Sequence, residues 1–165
     1  MTQVTPDPLA NPISTNSSTL PLRELEAFAE LSDAGSDKLQ QQLQLVRFRI
    51  GQSLTEASAI PAQVFLLLQG ECRLLGNEQG RLATLVRHGP GTLVGLASLL
   101  RAAPCESITA ATEIVAAAIP DQLIVELYTS EAGFRRWCNQ HLWPSEVAAL
   151  LELLLQKSAQ NDRLL

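Results

Sequence analysis

The sequence predicts a mainly β fold, a jelly roll with two helices ahead of it and further helices behind. Short apolar runs punctuated by glycine recur at steady spacing between Val46 and Ile119, as strands of a closed or doubled sheet do. Helical periodicity is confined to the two ends of the chain. The 165 residues are 46% hydrophobic, 18% charged and only 4% aromatic, which suits one globular domain with an aliphatic core.

Residues 1–21 are rich in Pro, Ser, Thr and Asn without a hydrophobic period, and read as a flexible leader. From Leu22, the positions Leu22, Leu25, Phe28, Ala29 and Leu31 predict a short amphipathic helix. Ser36 or Asp37 then caps a second one through Leu39, Leu43 and Val46. Val46–Ile50 alternates at period two before Gly51, a half-buried strand, and Gln63–Gln69 is a buried strand ending at Gly70-Glu71. Cys72–Leu75 and Leu82–Val86 flank the turn residues 76–80, a hairpin. Two more strands follow at Glu106–Ala111 and Glu113–Ile119, and Pro120 ends the β region. Helices are expected at Asp121–Tyr128, at about Ala132–Leu142, and after Trp143-Pro144, where Pro suits the first turn. In that last helix Val147, Leu150, Leu151, Leu154 and Leu155 fall on one stripe, which either packs on the barrel or forms an interface. Gln156–Leu165 reads as a polar tail or linker.

Composition excludes several functions. The formal charge of −5 offers no broad field for nucleic acid, and the pairs Arg47/Arg49 and Arg135/Arg136 are not stripes. Three widely spaced cysteines, Cys72, Cys105 and Cys138, fit a reducing compartment better than a disulfide framework. The two histidines, His88 and His141, make no metal-binding spacing, so no metal site and no cupin-like enzyme is expected. Met1–Pro21 lacks the pattern of a signal peptide, and no apolar run approaches the roughly 18–20 residues that cross a bilayer. A cytoplasmic chain without direct membrane insertion is the expectation.

The segment from His88 to Ala110 carries the functional argument. Gly89, Gly91 and Gly95, the short Ala97-Ser98-Leu99-Leu100 turn and a following β run have the layout of a phosphate cassette. With Val64–Glu71 ahead of it, this order resembles the cyclic-nucleotide-binding domain superfamily over about Leu22 to Leu155. That likeness implies a cyclic-nucleotide-binding-like β jelly roll serving as a regulatory domain. Leu93–Arg101, Pro104-Cys105-Glu106, Ala110–Glu113 and Ala118-Ile119-Pro120 are further similar to the N-terminal domain of cyanobacterial peptidase-containing ABC exporters. This implies a regulatory module attached to, or acting beside, a protein-secreting ABC transporter. Its partners are then exporter domains, or a second copy joined in a homodimer through the C-terminal helix, and it lies at the cytoplasmic face of a membrane.

In members of the superfamily that bind cyclic nucleotides, a Glu after the cassette glycine holds the ribose hydroxyl and an Arg ahead of the next strand pairs with the phosphate. Here the matching positions carry Leu96 and, counting back from Ala110, Pro104. An Arg–phosphate contact is worth about 1.5–3 kcal/mol net, so its loss weakens binding roughly ten- to a hundredfold. The resemblance therefore implies a degenerate ligand pocket, whose candidate residues are Val94, Gly95, Leu96, Ala97, Ser98, Arg101, Cys105, Glu106 and Ser107. Arg101 compensates if it swings inward. Glu106 repels phosphate if it faces the pocket and is an ordinary solvated residue if it faces outward. Cys105, beside that carboxylate, reads as a small buried thiol, and His88 as a turn residue. No catalytic residue and no cofactor are expected, and a genuine cyclic AMP or cyclic GMP sensor is the alternative function.

Overall fold

The computed structural model describes residues 11–12, 19–141 and 143–162; most of the proposed leader, residues 1–10 and 13–18, lies outside them. Within the described residues nine strands form two antiparallel sheets: β1 (Asn11–Pro12), β2 (Gln44–Phe48), β3 (Ser53–Thr55), β4 (Gln63–Gln69), β5 (Cys72–Glu78), β6 (Arg81–His88), β7 (Leu93–Val94), β8 (Ser107–Ala110) and β9 (Ile114–Pro120). Their orders are β1-β2-β9-β4-β7 and β3-β8-β5-β6. Five α-helices join them: α1 (Asp33–Gln42), α2 (Leu96–Leu100), α3 (Asp121–Ser130), α4 (Ala132–Gln140) and α5 (Pro144–Asp162). The jelly roll flanked by helices is therefore present.

The continuous apolar run of β4 has a direct cause: the strand is covered on both faces. Phe65 and Leu67 join Phe48, Leu74, Ile108 and Ile114 inside the barrel. Val64 and Leu66 face the helices, meeting Phe28, Leu39, Leu123, Ile124 and Phe134. Neighbouring β9 does the same with small residues, Ala116 and Ala118 inward and Ala117 and Ile119 outward. Chain reversal after β4 rests on Gly70, whose φ of +87° belongs to the left-handed region. A Cβ there would stand 2.2 Å from the Glu113 carbonyl oxygen.

Several elements differ from the sequence expectation. The helix expected from Leu22 is two 3-10 turns, Leu22–Glu24 and Glu26–Phe28, because Leu25 is extended and breaks the helical path between them. The helix after it starts earlier than Ser36 or Asp37: Ser32 caps it, its hydroxyl accepting the Gly35 N–H at 3.0 Å. Leu43 ends that helix as an extended residue, and Val46 belongs to β2. The hairpin turn is tighter than residues 76–80, since pairing continues to Glu78 and Arg81 around Gln79-Gly80. The C-terminal helix runs on through Gln156 to Asp162, past the start of the expected polar tail. Asn11 and Pro12 pair with Arg47 and Val46, so this part of the leader is tied to the sheet.

The α5 stripe does not pack on the barrel. Val147, Leu150, Leu151, Leu154 and Leu155 are all exposed, as is Leu153. Among the described residues no helix is long and apolar enough to cross a membrane, and no group of His, Cys, Asp or Glu is arranged to hold a metal ion.

Candidate functional site

The cassette is built on Gly95, which takes φ +93° immediately before α2. A side chain there would press on Pro61 at 3.1 Å. This turn aims the first amides of α2 toward β8, leaving them to be satisfied by something other than the helix itself. That partner is Glu106. Its carboxylate Oε2 accepts the Ser98 N–H at 3.1 Å, while its own backbone carbonyl accepts the Thr55 hydroxyl at 3.1 Å. Ser98 in turn holds the loop, its Oγ accepting the Cys105 N–H at 3.1 Å.

Glu106 is only 4% exposed, so the solvated reading of this residue is corrected. Sequence parity leaves its direction open; the deciding contact is the non-local amide of Ser98, which compensates a carboxylate that would otherwise be costly to bury. Burial raises its pKa, and hydrogen bonds from the Ser98 amide and hydroxyl and the Gly95 amide act against that shift.

A group with a raised folded-state pKa binds its proton more readily in the folded chain. Its contribution is complete below the ordinary value of 4.5 and is lost as pH rises through the folded value. We expect the wild type to lose stability relative to Glu106→Gln as pH rises from about 4.5 toward neutrality. Urea unfolding at a series of pH values checks this, and a pH-independent difference would contradict it.

Beside Glu106 lies a cavity of about 520 Å³, the size of a small-molecule site. Barrel residues Leu74, Val94 and Ile108 form its floor, the 3-10 turn residues Glu24–Ala27 one wall, and Trp137, His141, Trp143 and Ser145 the cover. Of the candidate pocket residues, Val94 and Glu106 line it. Gly95, Leu96, Ala97 and Ser98 are buried behind, with Leu96 packed in the helix-side core. Arg101 does not swing inward: its Nε faces Glu146 of α5 at 3.6 Å. Cys105 is half-buried with its sulfur 3.5 Å from the Ser98 hydroxyl, and Ser107 is half-buried at the start of β8.

The aromatic cover has no counterpart among the residues expected from the sequence to form the pocket. Trp137 stacks on His141 with centroids 4.5 Å apart, and His141 meets Trp143 at 5.4 Å. The signal was the clustering of both tryptophans and one of the two histidines within seven positions of an aromatic-poor chain. His88 is not the turn residue expected from the sequence: it ends β6 opposite Cys72 and lines the cavity. Burial lowers its pKa, which favours the neutral imidazole. The other thiols are inert by burial, Cys72 pushed up to about 11 and Cys138 to about 12.

A jelly roll holding a glycine-led amide cradle beneath a helical cover defines a ligand-binding regulatory fold. The model of the cyclic nucleotide-binding domain matches residues 45–131, and the chain belongs to that family. No curated protein sequence matches the chain significantly. Among solved structures, it is similar to a putative cyclic nucleotide-binding protein from Geobacter metallireducens, at 20% identity and TM-score 0.60, covering 80% of this chain and 95% of that one. It is also similar to the N-terminal domain of a transcriptional regulator from Streptomyces coelicolor, at 22% identity and TM-score 0.55, covering 87% and 94%. The regulatory domain of Toxoplasma gondii PKA with cAMP matches at 17% identity and TM-score 0.60, covering 64% and 41%. The chain thus spans less than half the length of that kinase regulatory domain, and at these identities the likeness shows the fold.

Proposed function

We propose that the chain is a regulatory or interaction module in which the phosphate cradle of the cyclic-nucleotide-binding fold is filled from within. The observation that carries this is the Glu106 carboxylate seated on the Ser98 amide. A cyclic phosphate brought to the same amides finds the Ser98 N–H already taken by an acidic side chain, and no Arg or Lys among the described residues lines the cavity to offset the phosphate charge. Two like charges about 4 Å apart repel by about 1 kcal/mol in water and about 4 kcal/mol near a protein surface.

Calorimetry with cyclic AMP and cyclic GMP at millimolar concentration is expected to give no saturable heat. Micromolar binding of either would overturn the reading in favour of a true sensor. Thermal shift offers an independent check, because ligand at a hundred times its Kd stabilises a fold by about 2.7 kcal/mol.

The module acts with an ABC-type peptide or protein exporter, as an attached domain or beside it, at the cytoplasmic face of the membrane. The resemblance of Leu93–Pro120 supports this, and the exposed apolar face of α5 supplies the contact surface. Co-purification with the exporter, lost on replacing Leu150 and Leu154 by serine, is the expected result. Sedimentation showing that these leucines instead join two copies would assign the face to a homodimer. No catalytic role is assigned.

A further inference from the structure

Strand register places four polar side chains in one row across the outer face of the four-stranded sheet. Ser53 of β3 pairs with Thr109 of β8, Thr109 with Arg73 of β5, and Arg73 with Arg87 of β6. Their neighbours Leu54, Cys72, Leu74, Ile108 and Ala110 point into the barrel, so by strand alternation the row points away from it. The helix-side core takes its strand residues from the other sheet, which leaves this row outside both cores.

Two guanidiniums therefore start from Cα atoms about 5 Å apart on adjacent strands. Like charges directly opposite one another destabilise a sheet, and a shared anion removes that cost. The chain supplies only part of one: Glu71 Oε2 reaches Arg87 Nη1 at 3.5 Å, and both side chains are more than half exposed. Arg73 is half-buried, makes no ion pair among the described residues, and its enclosed Nε has no hydrogen-bond partner. One carboxylate against two guanidiniums leaves a positive charge unmet.

A phosphate monoester matches this row better than a carboxylate does. It carries about −1.5 to −2 charges at neutral pH and three acceptor oxygens, enough for two planar guanidinium forks and a hydroxyl. We propose that Arg73, Arg87 and Thr109 form a site for a small soluble phosphate monoester, held by the terminal Nη groups and the Thr109 hydroxyl, with Glu71 as the competitor that the ligand displaces from Arg87. The site lies on the opposite face of β5 and β6 from the cavity residues Leu74 and His88, and it is independent of whether the cradle is filled.

Calorimetry on the whole chain with phenyl phosphate, and with benzoate as a singly charged control, tests it. Saturable heat is expected for phenyl phosphate, with benzoate about tenfold weaker or silent. Arg73→Gln and Arg87→Gln are each expected to weaken phenyl phosphate about tenfold, and the exposed Arg87 keeps the test decisive if Arg73→Gln does not fold. Glu71→Gln is expected to strengthen it, a change of opposite sign that loss of structure does not produce. Equal affinity for the two anions, or unchanged affinity in the folded arginine variants, overturns the site. So does silence with phenyl phosphate, including the case in which the chain sediments only with vesicles containing phosphatidic acid, whose headgroup is also a phosphate monoester. Cyclic AMP titrated into Arg73→Gln reports on the cavity alone: saturable binding there overturns the filled cradle and leaves this site standing.

Discussion

Phe134→Ala is expected to lower folding stability by about 3–5 kcal/mol, among the largest losses available to a single truncation in this chain. Phe134 is 1% exposed and lies between two rings, Phe28 at a centroid separation of 5.7 Å and Trp137 at 6.4 Å. Neither neighbour can collapse freely into the space: Phe28 is itself fully buried at the end of the second 3-10 turn, and Trp137 is held by His141 and Trp143. Thermal unfolding is expected to show a Tm roughly 10–15 °C lower. The same truncation loosens Trp137, so it weakens any ligand of the cavity it covers. Leu82→Ala provides the contrast, since Leu82 is 78% exposed and its loss is expected to change stability by less than about 0.5 kcal/mol. Comparable losses in the two variants would contradict this account of the core.

Gly70→Ala is expected to cost about 3 kcal/mol or more, from two separable sources. The left-handed backbone at φ +87° costs an L-residue roughly 1–2 kcal/mol. The new methyl also meets its neighbours too closely, the Glu113 backbone oxygen at 2.2 Å and the Thr112 Oγ1 at 2.9 Å. That threonine oxygen already accepts the Glu71 N–H at 2.9 Å, so movement away from the methyl breaks a turn hydrogen bond as well. Gly51 isolates the first source: its φ is +84°, and the space a methyl would occupy there is open to 4 Å. Gly51→Ala should therefore lose only about 1–2 kcal/mol. Urea midpoints at unchanged slope read the difference. Equal losses at the two glycines would show that the contact with Glu113 relaxes at no cost.

The parts of the fold that are legible in the sequence are those set by local pattern. The run of Gln63–Gln69, the hairpin around Gln79-Gly80 and the Pro144 helix start each carry their cause in adjacent residues. Strands β3 and β7, of three and two residues, are too short to show a period, and they exist because β8 and β4 pair with them. Ser32 does not stand out as a cap in the sequence, because Ser36 and Asp37 are equally good cap residues. The choice is made by Glu131, which accepts the Ser32 N–H at 3.0 Å from ninety-nine positions away.

The cassette divides in the same way. Gly95 and the short α2 follow from local chemistry, and so does the loss of the expected Glu and Arg at Leu96 and Pro104. The inward turn of Glu106 does not, because its partner amide is supplied by tertiary folding across the loop. The cavity cover lies within residues 137–143, and its local signal is the clustering of both tryptophans with His141; that these rings close over the barrel is set by tertiary packing.

The pairing of Arg101 with Glu146 joins the end of the cassette helix to the first turn of α5. As a partly exposed ion pair at 3.6 Å it adds little stability. Its position matters more, because α5 is 19 residues long and extends about 28 Å from Pro144. A tilt of about ten degrees at that pivot carries the far end through about 5 Å. The cradle is thus tied by one ion pair to the helix that carries the outlying leucines.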